Sequence, residues 1–161
     1  MTLRTPALTS LALLAVTAGP ALSLSCMKPD PARSYTQAAE AEEAYLVVHG
    51  KLSHNPDAVP ERKSGEQPIS FPATLTGAFL QADGFHGAFA APLTVTVDCA
   101  MTWCGEAPES SVDVLAYLQE TPTGYALTLG PCGGWMFTDP TTEDLDRVVS
   151  CHTGGDCTPQ D

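Results

Sequence analysis

Six cysteines, Cys26, Cys99, Cys104, Cys132, Cys151 and Cys157, all follow a short apolar leader, and no other feature narrows the fold as far. The leader opens Met1-Thr2-Leu3-Arg4 and then runs uncharged from Thr5 to Met27, with a strongly apolar part of only about ten residues around Leu8 to Val16. A bilayer-spanning helix needs roughly twenty. The segment therefore reads as a secretory signal peptide: Gly19 and Pro20 end the apolar helix, and Ala21 and Ser23 form a small-x-small cleavage pattern. This assigns residues 1–23 to the signal and starts the mature chain at Leu24. The overlapping pattern Ser23-Leu24-Ser25 would make Cys26 the first residue instead. An even number of cysteines sent to an oxidising compartment reads as a disulfide framework, in a secreted or periplasmic protein.

Six cysteines allow fifteen connectivities. One of them closes the near pairs Cys99–Cys104 and Cys151–Cys157 locally and leaves Cys26 to join Cys132; spacing alone does not select it. Zinc is the competing use of the same residues, with Cys151, His152 and Cys157 as soft ligands. Structural zinc favours two pairs at Cys-x(2–4)-Cys or His-x(3–5)-His spacing, and here Cys99 and Cys104 form one such pair with no second. No metal and no cofactor are expected.

Removal of residues 1–23 takes Arg4 with it and leaves six Lys and Arg against nineteen Asp and Glu, a net charge of −13. Such a surface repels nucleic acid and anionic lipid headgroups. About 138 mature residues suit a single domain, 24–161.

Apolar alternation recurs in short pieces. Leu93, Val95, Val97 and Cys99 share one face while Thr94, Thr96 and Asp98 share the other, as in a half-buried strand. Strands are predicted over 44–52, 69–80, 93–99, 112–119 and 125–129, the last two joined by a turn at Pro122 and Gly124. Ser34 and Gln37 form a capping box for a helix over 35–43, and Asp139-Pro140 opens a second helix running to about residue 149. Segments 53–67 and 81–91 read as long loops, and 154–161 as a flexible tail. The expected fold class is mainly β: a small five-stranded OB-type Greek-key barrel with short flanking helices, stabilised by disulfides.

No catalytic constellation stands out. His49, His54, His86 and His152 are scattered, and Glu40, Glu42 and Glu43 read as a solvated helix face. The glycine-rich run Gly130 to Trp135 lacks the Lys-Ser/Thr ending of a phosphate loop and reads as a tight turn beside a disulfide. Trp103 and Trp135 read as core packing, with a partner surface as the alternative. Cys26, just after the leader, also raises a lipid anchor; such sites place Leu three residues before the cysteine, whereas residue 23 is Ser and Leu24 comes one place later.

The order of landmarks is the most telling feature. Cys26, a short helix, the strand Ala44 to Lys51, Trp103-Cys104-Gly105, the run Gly124 to Cys132 and a final helix into Cys151 together resemble the netrin-like domains that include tissue inhibitors of metalloproteinases. The resemblance implies an OB barrel in which cysteines tie the N-terminal segment to later strands and to the last helix, with Cys26 joined to Cys132 or Cys104. It also implies that Cys26 belongs to the binding edge, because the inhibitors of that family place the α-amino group and carbonyl of an N-terminal cysteine on a catalytic zinc. Those inhibitors begin Cys-x-Cys, whereas this chain reads Cys26-Met27-Lys28. The expectation is an exported, non-catalytic protein-binding module without a membrane span, a protease being among the candidate partners. The alternative is a structural or lipid-anchored envelope protein.

Overall fold

Buried and exposed side chains alternate along two long antiparallel strands, β2 (Ile69–Gln81) and β3 (Gly84–Val97), in the computed structural model, which describes residues 25–62 and 67–160. The expected signal, residues 1–23, lies outside the described residues. β3 corrects the sequence reading, because most of 81–91 is strand and not loop. Its inward positions Gly87, Phe89 and Ala91 continue the alternation of Leu93, Val95 and Val97, but glycine and alanine hide it from a hydropathy pattern. Gly87 is required by packing: the ring of Phe79 on β2 lies across it, and a Cβ there would come within 2.3 Å of that ring. A two-residue turn, Ala82-Asp83, joins the strands.

Upstream lie helix α1 (Pro31–Glu40) and β1 (Tyr45–Ser53); downstream come the two-residue strands β4 (Cys99–Ala100) and β5 (Trp103–Cys104), then β6 (Val112–Thr121), β7 (Gly124–Leu129), β8 (Met136–Thr138) and helix α2 (Thr142–His152). The main sheet closes on itself as a ring, β1-β2-β3-β7-β6 and back to β1, with β8 added along β6. All its pairings are antiparallel except β3–β7, which is parallel. β4 and β5 form a separate small ribbon. Pro72 and Pro92, which cannot donate to a ladder, fall where β2 and β3 each have a strand partner on one side only.

Two apolar clusters follow. Inside the ring, Val48, Leu52, Phe71, Leu75, Val95, Val114, Leu118 and Leu127 are fully or nearly fully buried. Outside it, α1 and α2 cover β1 and β6, so that Ala38 and Val148 meet Val47, Leu115 and Tyr117. Both faces of β6 are thus covered, and Val114-Leu115-Ala116-Tyr117-Leu118 is buried without a break. Trp135 belongs to this outer layer, stacked on Tyr45 with ring centroids 4.8 Å apart.

Both helix starts differ from expectation. α1 begins four residues earlier: Asp30 is its N-cap and Pro31 occupies the first turn, while Ser34 lies buried inside and donates to the Asp30 carbonyl. It ends at Glu40, so Glu42 and Glu43 are beyond the helix. α2 begins later, capped by Thr141 in a reciprocal capping box with Asp144. Among the described residues no helix is long and apolar enough to cross a membrane.

Candidate functional site

At one end of the ring the chain start is stapled to the loop after β7. Cys26 pairs with Cys132, Cys99 with Cys104 across the β4–β5 ribbon, and Cys151 with Cys157 just after α2. The ribbon is fixed to the same end: the Asp98 amide donates to Leu129 O at 2.9 Å, and the Gly105 amide donates to Asp98 O at 2.9 Å. Gly105 lies directly on the Leu129 carbonyl, with no room for a Cβ. Leu129 and Cys132 are three residues apart, a span of at most about 11 Å. Cys26 and the ribbon are therefore attached at the same end of the ring.

Segments attached at that end carry exposed large apolar side chains. Met27 is 65% exposed, Met101 70% and Trp103 58%, and these are the exposed large hydrophobics among the described residues. Trp103 thus corrects the core-packing expectation, since in a two-residue ribbon its side chain has no second layer to pack under. Behind Met27 a cleft of about 330 Å³ is lined by Met27, Lys28, Arg33, Gln37, Cys132 and Gly134. Arg33 Nη1 lies 3.7 Å from the Met27 sulfur. Two of the few basic residues of an acidic chain are therefore beside Cys26.

A carboxylate holds this segment down. Asp30 is only 4% exposed. It accepts from Arg147 Nη2 at 2.7 Å, the Arg33 amide at 2.9 Å and the Gln160 amide at 3.1 Å. Burial pushes its pKa up, but the Arg147 guanidinium and the two amides together outweigh burial and hold the carboxyl below its usual range. It remains ionised and joins the N-terminal segment, α2 and the tail. The Tyr117 hydroxyl donates to Pro31 O at 2.6 Å, and burial pushes this phenol far up, so it stays a neutral donor. The tail lacks regular structure but is tethered at Asp30 by Gln160.

The remaining sequence candidates do not converge. His49 Nε2 is 3.1 Å from Asp113 Oδ2, and among the described residues no hydrogen bond joins this pair to a hydroxyl. His54 is held to Pro108 O, His86 to Asp83 in the β2–β3 turn, and His152 to the Tyr35 hydroxyl. Gly130 to Trp135 forms a turn closed by the Gly133 amide and Gly130 O at 3.1 Å. Among the described residues no group of three or more His, Cys, Asp or Glu is placed to hold a metal ion. The lipid anchor expected as an alternative at Cys26 conflicts with the bonding seen, because a thioether and a disulfide need the same sulfur. Sequence reasoning missed Asp30, Arg147, Met27 and Met101; the Asp30-Pro31 pair was the available signal, as an N-cap followed by proline at the first helical position. No family model matches the chain, and neither the curated proteins nor the solved structures contain a match to it.

Proposed function

We propose that this chain is an exported, non-catalytic protein-binding module whose partner docks on the edge formed by Met27, Met101 and Trp103. The observation that carries the reading is the exposure of these three side chains on segments stapled to one end of the ring. Methionine and aromatic residues are enriched at protein interfaces, and a rigid Trp is the commonest kind of hot spot. Lys28 and Arg33 beside Met27 suit a partner with an acidic rim, while the acidic remainder of the chain repels other approaches. Three disulfides fit an oxidising, extracytoplasmic destination.

The OB-type reading draws support from the five-stranded ring with its single parallel closure. The netrin-like reading rests on the order of landmarks in the sequence. It makes a protease the first partner class to test. Contact with a catalytic zinc through the Cys26 α-amino group requires cleavage directly before Cys26.

The test is chemical crosslinking in the exported fraction of the native host, with wild type, Trp103→Ser and Met101→Ser compared. The proposal expects a specific partner captured by wild type and lost from Trp103→Ser, whose exposed side chain contributes little to folding. Equal capture by all three proteins, or no specific capture by wild type, would refute it.

A further inference from the structure

A second surface stands out by its lack of charge. β2, β3 and β7 hold 33 residues without one Asp, Glu, Lys or Arg, in a chain that carries 26 of them. Charges on strand surfaces ordinarily guard a sheet against unwanted association. Here the outward positions of 70–76, 88–96 and 124–128 are small, prolyl or hydroxylic, with Pro72 beside Thr94 beside Ala126 and Thr74 beside Pro92 across the three strands.

Where this face meets the β6–β7 turn it is concave. A cleft of about 420 Å³ is lined by Pro72, Pro92, Thr94, Thr121, Thr123 and Tyr125, without a charged residue. The Tyr125 ring lies edge-on to Phe89 at 5.2 Å and 70°. Thr121 is fixed by donating to Gly124 O at 3.0 Å. Among the described residues the hydroxyls of Thr94 and Tyr125 have no intramolecular partner and stay open to a ligand.

The composition selects the ligand. Ions of either sign find no counter-charge in the cleft, and the net charge of the chain repels polyanions. Of the residue types enriched at protein interfaces the lining holds only Tyr125, and Thr, its commonest residue, is under-represented among hot spots. A neutral polyhydroxylated chain matches on both counts: its C–H faces pack on Pro72, Pro92 and the Tyr125 ring, and its hydroxyls exchange hydrogen bonds with Thr94, Thr121, Thr123 and Tyr125. We infer that this cleft binds a neutral glycan. It is a separate site from the Met27–Trp103 edge, because it lies at the first residues of β7 and that edge at the last. The six residues of β7 put roughly 17–20 Å between them.

The test is a backbone NMR titration of the exported, oxidised protein with cellohexaose and with maltohexaose, which present neutral glucans in extended and helical form. Saturable shifts with millimolar or tighter affinity are expected at Thr94, Thr121 to Ala126 and Pro92's neighbours. Thr94→Glu places a carboxylate on an exposed position and is expected to weaken binding about tenfold. Trp103→Ser is expected to leave it unchanged, which separates this site from the docking edge. No shift with either sugar, or shifts confined to other residues, would overturn the inference. So would shifts that depend on protein concentration without sugar, which would assign the face to a second copy of the chain.

Discussion

The three disulfides close loops of very different length, and their removal is expected to cost in proportion to the logarithm of that length. Cys26 and Cys132 are 106 positions apart, Cys151 and Cys157 only 6. In the chain-entropy account a loop of that first size withholds about 16 cal/mol/K from the unfolded chain, or about 4.8 kcal/mol at 25 °C. The small loop withholds about 2.2 kcal/mol. Paired substitution to serine leaves little to correct for, since Cys26 is exposed and the other three positions are half-buried. The double variant Cys26→Ser/Cys132→Ser is therefore expected to lose about 2.5 kcal/mol more than Cys151→Ser/Cys157→Ser. With a urea m-value of about 2 kcal/mol/M, the midpoints fall by about 2.4 M and about 1.1 M respectively. The long-loop variant also unfolds with a larger m-value, because its unfolded chain exposes more surface. Urea unfolding of both variants beside wild type, followed by tryptophan fluorescence, gives the comparison directly. Equal losses, or a larger loss from the short loop, would refute the entropic reasoning and place the effect in the folded state or in residual structure of the unfolded chain.

Two further outcomes follow from the buried contacts. Asp30→Asn keeps the shape but leaves Arg147 facing a neutral group, and a loss of about 3 kcal/mol is expected at neutral pH. Because the folded-state pKa of Asp30 lies below its unfolded value, its contribution is complete above roughly pH 5 and fades as pH falls through the folded pKa. Urea midpoints of wild type and Asp30→Asn should therefore converge towards pH 2, and a constant gap across that range would contradict the assignment. Gly87→Ala drives a methyl into the Phe79 ring and is expected to cost about 1–3 kcal/mol; a neutral result in thermal melts would mean that the ring has another seat.

Apolar patterning, alternating in most strands and an unbroken run in β6, located all five ring strands because each presents Val, Leu, Ile or Phe inward. It failed over 81–91, where the inward series is Gly87, Phe89 and Ala91 and hydropathy cannot distinguish a packed glycine from a loop glycine. The helix starts went wrong for a different reason. Ser34 and Gln37 form a capping-box pattern, but Asp30 and Pro31, four residues earlier, offer a cap plus a proline whose missing amide costs nothing at that position. The ribbon β4–β5 and strand β8 are too short for any periodicity to register.

The candidate site was harder to read because exposure is a property of the neighbours and not of the residue. Trp103 and Trp135 look alike in sequence, each beside a cysteine-containing turn and each free to be core. Tyr45, Tyr117 and the two helices enclose Trp135, while Trp103 lies on a ribbon that nothing covers. The difference is made by long-range closure: β6 meets β1 across sixty or more residues of chain, bringing a second layer over one tryptophan only. Cysteine spacing left open which segments are held near one another. It carried no information about which side of them faces solvent, and that side is where the binding chemistry resides.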